Sequence, residues 1–244
     1  STSVPDETGR DRSSQALIIE ASRGLSEHWS VSFVGSLVDH DRRVGDDVTE
    51  ANGPGDAIAM LKYTPLRIDL YSRNEVSLGI GARIPLGADN KSSNGIVLAE
   101  DMQPGTGAWG TIAWAYAARG LNEQGSARVY GSVSHTNNSE NDRDYRFGHE
   151  TTAAIGTSYQ TQTPWGFSGE LVYRHTKRDE RATVSIPNTG GEWLDFTVSA
   201  QYHLNEKSAL RLGAKIPVER NLNDALQFTT KFAMRLSFTH VFGD

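Results

Sequence analysis

The sequence predicts an all-β fold, an antiparallel transmembrane β-barrel of the bacterial outer membrane. The first observation is a period of two in residues 193–218, where Leu194 and Phe196 alternate with Asp195 and Thr197 before a short polar turn leads into a second alternating strand. The second is the hydrophobic content of 37%, which is below the roughly 45–50% of ordinary globular domains. A sandwich of this length would lack a core, whereas a barrel needs only an apolar face toward lipid and a polar face toward a lumen.

The third observation is that the charged residues of the predicted strands fall on one face. Because Arg or Lys at the midplane of a lipid-facing surface costs ~2–4 kcal/mol, the absence of Asp, Glu, Lys and Arg from the opposite face of the alternation indicates a membrane. The lumen face is predicted to carry Glu20, Asp56, Glu75 and Arg146, together with the residues that we expect to line the path of a solute: Lys62, Arg83, Arg119, Arg128, Glu150, Glu170, Arg174, Asp195, Arg211, Lys215, Lys231 and Arg235.

Composition excludes several other classes of protein. The longest apolar runs are as short as residues 16–19, far below the ~18 residues of a spanning helix. The absence of cysteine excludes a disulfide framework and a thiolate metal site. A net charge of -6 argues against a nucleic-acid partner. The first residues contain neither a basic region nor an apolar stretch, so we expect that a secretion signal has already been removed.

Taken in order, residues 1–14 are predicted to be an N-terminal arm or first-strand region, and residues 15–244 a single barrel domain. Eleven strands follow from the alternation, an odd number, whereas bacterial single-chain barrels close with an even one. We therefore predict twelve strands, the twelfth supplied by residues 1–12 or 65–74. The eleven are residues 15–22, 29–37, 56–63, 75–86, 109–119, 127–133, 147–159, 165–173, 194–203, 208–218 and 228–242.

The connections between strands alternate in length. Short turns that begin at Leu25, Leu121 and Leu204 alternate with long polar loops, as in barrels with short periplasmic turns and long external loops. An aromatic girdle is predicted at the short-turn end of the barrel, made of Trp29, Tyr63, Tyr159, Trp165, Tyr202 and Phe242. The longest loop, residues 88–107, is expected to fold inward as a constriction through its apolar residues Ile96, Val97 and Leu98.

Two groups of residues suggest other chemistry. Ser134 and His135 would have to meet to act as nucleophile and base, but adjacent residues of a strand point to opposite faces, so no enzyme is predicted. An acidic segment in the predicted loop 39–55 has oxygen ligands that suit a divalent cation, although a solvated loop is the favoured interpretation; the segment contains Asp39, His40, Asp41, Asp46, Asp47 and Glu50. No cofactor or metal is predicted.

Three short segments resemble an outer-membrane transporter family. Residues 83–87 read Arg-Ile-Pro-Leu-Gly, residues 103–109 read Gln-Pro-Gly-Thr-Gly-Ala-Trp, and residues 191–193 read Gly-Glu-Trp before the alternating hairpin. On these motifs the chain from Arg23 onward is similar to the family named after the meta-pathway of phenol degradation, loosely akin to fatty-acid and aromatic-hydrocarbon channels. The resemblance implies passage of small, often aromatic, compounds, and it carries no catalytic residues. One departure is that two residues follow Phe242, where such barrels commonly end on an aromatic residue.

Two hypotheses for function follow. The favoured one is a passive outer-membrane channel whose partners are lipid, lipopolysaccharide and a small, hydrophobic or aromatic solute. The rival is a non-conducting barrel that serves as a scaffold for another envelope protein. The basic residues of the lumen either set a preference for anions or form ion pairs that brace the wall, and the sequence leaves both interpretations open.

Overall fold

The computed structural model describes residues 2–3, 10–68, 73–224, 227 and 230–242. Apart from a single 3-10 turn at Glu100–Met102, the regular elements of this part of the chain are strands. In chain order they are β1 Thr2–Ser3, β2 Arg10–Gly24, β3 Trp29–Val44, β4 Asp47–Pro54, β5 Ala57–Leu66, β6 Asn74–Ile84, β7 Ser92–Ser93, β8 Ile96–Val97, β9 Gly110–Gly120, β10 Ala127–Asn138, β11 Tyr145–Arg146, β12 Glu150–Gln160, β13 Trp165–Thr176, β14 Glu180–Arg181, β15 Val184–Ser185, β16 Gly191–His203, β17 Ser208–Leu222 and β18 Ala233–His240.

One antiparallel sheet contains all the long strands. Its order is β1-β2-β3-β5-β6-β9-β10-β12-β13-β16-β17-β18, and β4 folds back on the far end of β3. Twelve strands therefore follow one another along this path in the described residues, as the sequence predicted, and the strand missing from the alternation is β1, in which Thr2 pairs with Arg12. The long loops carry two small sheets, the β7–β8 hairpin and the sheet β11-β14-β15.

The alternation of side chains gives the main sheet an apolar outer face. Residues paired directly across a ladder share a face, and register places Leu78 opposite Ala115, and Leu212 opposite Leu236. Ile80 is 67% exposed and Leu236 is 75% exposed. A continuous exposed surface of this kind belongs against lipid. In the described part of the chain, no helix has the length and the apolar content needed to cross a membrane.

Register confirms the predicted aromatic girdle at the short-turn end. Trp29 pairs with Tyr63, and their ring centroids are 4.8 Å apart. Trp165 pairs with Tyr202 at 4.9 Å, and Tyr159 pairs with a phenylalanine of β13. Because amphipathic rings concentrate at the membrane–water interface, this ring of side chains marks one edge of the apolar band.

The predicted loop 39–55 is wrong, because most of it is strand. β3 continues to Val44 and pairs with β4 through rungs such as Arg42 with Thr49. Both faces of this extension are polar, so it lacks the apolar signal used to find strands. β2 likewise begins at Arg10 rather than near residue 15. The predicted start of the last strand, Phe228, and the residues after Phe242 lie outside the described residues.

The alternation predicts that Trp114 and Tyr116 of β9 face lipid and that Arg119 faces the lumen, and this assignment is also wrong. Trp114 pairs with Ser134 and Gly79, and Tyr116 pairs with Ser77. These partners lie on the face that carries Glu75 and Arg83, so the rings of β9 point into the lumen, and the small Ala113, Ala115 and Ala117 face outward. The prediction failed because the larger apolar side chains of this strand were assigned to lipid, whereas here they line the lumen.

Candidate solute pathway

The long loop after β6 is fastened at its base by Asp56. The Asp56 carboxylate accepts hydrogen bonds from the Gly87 N–H at 3.2 Å and from the N–H and hydroxyl of Thr106 at 3.0 and 2.5 Å. A Cβ on Gly105 would lie 2.5 Å from the Gly87 Cα, so the two backbones meet where no side chain fits. Asp56, predicted as a lumen acid, therefore anchors the segments that carried the family resemblance.

The far half of this loop is stiffened by Gln103. The Gln103 side chain accepts a hydrogen bond from the Lys91 N–H at 2.8 Å and donates to the carbonyls of Lys91 and Leu98, each at 3.0 Å. Next to it, Met102 is fully buried. These contacts hold the 3-10 turn Glu100–Met102, here called the acidic turn, in a fixed position at the mouth of the barrel.

The acidic turn reaches arginines on both sides of the mouth. Asp101 lies 3.0 Å from Arg12 on β2 and 4.0 Å from Arg42 on β3. Glu100 lies 3.3 Å from Arg143, in the loop after β10, and 2.7 Å from Arg181 on β14. β2 and β3 are separated from those loops in the sheet order by β5, β6 and β9. The turn therefore ties together parts of the wall that are far apart along the sheet.

The residues expected to form the constriction lie elsewhere in the loop. Ile96 and Val97 form the second strand of the β7–β8 hairpin and are 74% and 53% exposed. Leu98 is half-buried, and its backbone N–H donates to the Lys91 carbonyl at 2.9 Å. A constriction formed by these apolar residues stays a prediction, and the side chains that reach the other loops are those of Glu100 and Asp101, which follow them.

The remaining long loops are fastened to each other through Asp179. Its carboxylate accepts hydrogen bonds from the Tyr145 hydroxyl and from the Gly148 N–H, the latter at 2.7 Å. Burial is the main cause that raises the pKa of Asp179 above its ordinary value. Burial and the bond to Asp179 together raise the pKa of Tyr145. Arg146, expected on the lumen wall, instead pairs with Glu180 within this small loop sheet.

Part of the lumen wall is braced by ion pairs. On the rungs next to the loops, Arg174 lies 3.3 Å from Glu150, and its guanidinium stacks 4.0 Å from the ring centroid of Trp193. Asp195 is almost fully buried and pairs with Arg220 and, at 3.5 Å, with Lys215. Each of the two carboxylates holds at least one cation, which fits the bracing interpretation.

A row of rings lines the inner wall at β9 and β10. Trp114 and Tyr116 stack with centroids 5.9 Å apart, and Tyr116 lies 6.2 Å from Tyr130. The Lys62 ammonium sits 5.4 Å from the Trp114 ring. Tyr130 lies flat over Gly156, where a Cβ would come 2.7 Å from the phenol ring. Glycine on the neighbouring strand thus makes room for the ring of Tyr130 on the inner wall.

The inner wall at the short-turn end surrounds a cavity of ≈ 810 Å³ whose lining includes Arg128 and Arg211. Arg211 Nε donates to the Gln201 side-chain oxygen at 3.0 Å, and Arg128 donates to the Gly125 carbonyl at 3.3 Å. Both arginines are exposed, and within the described residues no carboxylate lies within 4.0 Å of either guanidinium. Glu206 also lines the cavity, so two arginines stand against one carboxylate that is not paired with either of them, and the cavity keeps a net positive charge.

The other predicted lumen residues divide by position. Register places Lys62, Arg83 and Arg235 on the inner face, and Glu170 next to Tyr130. Arg83 donates to the Asn138 side-chain oxygen at 3.0 Å. Arg119 is a correction, since it pairs with Val129 and Asn74 on the outer face at the short-turn end, where the cost of a charge is smallest. Lys231 lies just before β18, outside the ladder.

The groups weighed for other chemistry do not assemble. Ser134 faces inward, whereas His135 shares the outer face with Thr151 and contacts its hydroxyl at 2.9 Å. On β3, His40 points to the opposite face from Asp39 and Asp41. Over the residues that the structure describes, no three His, Cys, Asp or Glu side chains form a group able to hold a metal ion.

Sequence reasoning missed the mouth contacts altogether. Arg12, Arg42, Arg143 and Arg181 were assigned to an arm or to loops, and the acidic turn to a constriction loop without a role of its own. Arg12 and Asp101 are 89 residues apart in the chain, and such a pairing leaves no periodic signal. The adjacent acids Glu100 and Asp101, beside an apolar segment in a long loop, were the one local clue.

No protein-family model matches the chain, and no curated protein sequence matches it significantly. Among solved structures, the chain is similar to an outer membrane channel from Pseudomonas putida F1, with a TM-score of 0.70 and 14% identity over 93% of this chain and 82% of that one. It is also similar to the NanC porin, with a TM-score of 0.58 and 12% identity over 96% of this chain and 98% of that one. These likenesses confirm the fold of an outer-membrane β-barrel. Neither protein bears the name of the phenol meta-pathway, so that part of the resemblance stays an expectation.

Proposed function

We propose that this chain is an integral outer-membrane channel for small solutes, with a preference for anions. The observation that carries the proposal is the cavity of ≈ 810 Å³ at the short-turn end, into which Arg128 and Arg211 project without a carboxylate partner among the described residues. Charges that line a narrow passage with low-dielectric walls act strongly on a passing ion. The ion pairs of Asp195 and Glu150 account for other basic residues as braces, so the two interpretations of the lumen charge apply to different residues.

The channel proposal is tested by single-channel recording from purified protein in planar bilayers. We expect discrete current steps in KCl, because the unpaired arginines keep the inner end of the lumen hydrated. Heat-denatured protein at the same detergent concentration is the control. If folded protein produces no steps at any voltage or salt concentration, the chain is a closed barrel, and the rival scaffold hypothesis replaces the channel.

The row of rings supports a narrower proposal, that the solutes include aromatic acids. Trp114, Tyr116 and Tyr130 place three neighbouring aromatic rings on the inner face, and stacking of planar groups on aromatic rings is favourable. We expect Trp114→Ala to slow the entry of benzoate into proteoliposomes more than the entry of acetate. Trp165→Ala, in the outer girdle, is the matched control. An equal effect of Trp114→Ala on both solutes would restrict the function to small anions without regard to a ring.

A further inference from the structure

Arg42 and Arg143 have hydrogen-bond donors that the acidic turn does not satisfy. Arg42 Nε and the Nε and Nη2 of Arg143 are buried, and within the described residues they have no hydrogen-bond partner. At the same time Arg143 Nε is 3.3 Å from the Glu100 carboxylate, an ion-pair distance whose geometry does not make a hydrogen bond. Buried donors of a charged group are costly to leave unmade. The acidic turn therefore holds its two carboxylates where some donors of Arg42 and Arg143 are left unmade, and carboxylates that the loop backbone does not hold in place can reach them.

The acidic turn itself indicates the chemistry that the arginines would accept. Glu100 and Asp101 are consecutive, and their carboxylates bind different pairs of arginines. Arginine is suited to carboxylates because its planar group can donate two parallel hydrogen bonds. A small molecule with two carboxylates a few bonds apart can present the same two charges without the limits that the loop backbone sets.

Arg143 and Arg181 can exchange partners while the turn stays in place. The burial of Met102 and the hydrogen bonds of Gln103 hold the turn in place. Arg181, by contrast, is half-exposed and extends from β14 on a long side chain. Arg143 also donates to the carbonyl of Asp89, which keeps it at the mouth when the carboxylate contact is lost. An incoming anion can therefore take over the guanidinium groups while the loop stays in place.

We propose that the arginines Arg12, Arg42, Arg143 and Arg181 form a binding site for small dicarboxylates at the long-loop mouth, and that the acidic turn is its built-in competitor. The inference rests on the proposed channel function for its purpose, since the site lies where a solute enters from the long-loop side. A moderate affinity suits such a site, because a solute must leave it in order to pass. The competing carboxylates keep the affinity moderate.

The test is calorimetric titration of the folded protein in detergent at low ionic strength, with sodium succinate as the probe and sodium acetate as the monovalent comparison. We expect Glu100→Gln combined with Asp101→Asn to bind succinate about tenfold more tightly than the unaltered protein, within the usual range of coupling between competing ligands. The affinity for acetate should change less, because one carboxylate cannot engage both pairs of arginines.

The matched control is Asp46→Asn combined with Asp142→Asn, which removes the same charge from exposed loop positions. Neither aspartate takes part in an ion pair within the described residues. Screening should therefore limit the gain in succinate affinity of this control to roughly twofold. Adding Arg143→Gln and Arg181→Gln to the Glu100→Gln/Asp101→Asn protein should abolish the binding of succinate. The arginines are replaced in the Glu100→Gln/Asp101→Asn protein because replacing them in the unaltered protein would leave the buried Glu100 carboxylate unpaired.

The inference is overturned if the altered turn gives no gain in succinate affinity, or if the control pair gives the same gain. It is also overturned if binding survives the loss of the two arginines. Because calorimetry does not depend on current, the two proposals fail separately. Current steps without succinate binding refute the mouth site alone, and succinate binding without current steps refutes the channel alone.

Discussion

Ala214→Arg places a cation near the middle of the lipid-facing band. Ala214 lies on β17 between Val198 and Met234 on the outer face. With a strand rise of about 3.4 Å and a tilt of about 40°, each residue adds about 2.6 Å of depth. Ala214 is four residues beyond Leu210, which pairs with the girdle residue Tyr202. It therefore lies about 10 Å above the girdle in a band about 25 Å tall, and the substitution is expected to cost ~2–4 kcal/mol.

The neighbouring residue provides the control. Gly213→Arg puts the same side chain on the inner face, where a Cβ would meet the Ser199 Cβ at an ordinary 3.6 Å. Its cost should be about 1 kcal/mol or less, from the like charge of Arg235 on the next strand. Leu212→Arg, nearer the girdle, should lie between the two because the cost falls toward the interface.

Stability is measured by reversible urea titration of protein folded into lipid vesicles, followed by the heat-modifiable mobility of the folded barrel in gels. Of the three variants, Ala214→Arg should lose the most free energy of unfolding and Gly213→Arg the least. Equal losses for the two adjacent substitutions would mean that the outer face does not contact hydrocarbon, and the membrane assignment would be refuted.

Three further predictions concern the loops. Proteinase K added to intact cells should cut at the exposed residues Ile96 and Val184, which are 74% and 67% exposed, and spare the short turns that begin at Leu121 and Leu204; cutting at those turns instead would invert the topology. Asp56→Ala should leave the backbone N–H groups of Gly87 and Thr106 unpaired, at about 1–3 kcal/mol for each that stays buried, while the Thr106 hydroxyl keeps the Ala108 carbonyl as its acceptor. The substitution should raise proteolysis at Ile96, whereas Asp46→Ala should not. Because burial raises the pKa of Asp179, the folded loops hold its proton more tightly than the unfolded chain does. The stability of the loops should therefore be greatest below the ordinary carboxyl pKa and fall as pH rises through the raised value. Resistance to cleavage at Val184 should fall with pH in the same way, and Asp179→Asn should make it nearly independent of pH.

The period of two was enough to find the barrel, because one side of every long strand meets lipid. The rule that apolar residues face lipid failed on β9, where Trp114 and Tyr116 line the lumen and alanines take the outer face. Arg119 was misassigned for the same reason, since its face was inferred from those rings. The alternation of a strand is symmetrical, so two rings on one side reverse the assignment of the whole strand.

The loop contacts could not be predicted because they depend on how the sheet brings strands that are distant in sequence together. The sequence does not show which groups Asp56 contacts, because its partners Gly87 and Thr106 come from segments far along the chain. The arginines around the acidic turn come from four separate elements. Conversely, the extension of β3 that pairs with β4 was missed, because both of its faces are polar and it has no alternating apolar pattern.

The reversal potential under a KCl gradient tests the central claim most directly, that unpaired arginines inside the lumen select the solute. Arg128→Gln with Arg211→Gln removes two inward charges, and Arg23→Gln with Arg119→Gln removes two outward charges at the same end of the barrel. We expect a weak preference for chloride, which the inward pair of substitutions shifts toward potassium and the outward pair leaves unchanged. The shift should shrink at 1 M salt, where screening shortens to roughly 3 Å. If both pairs shift the potential equally, or if neither does, lumen charge does not select ions and the account is contradicted.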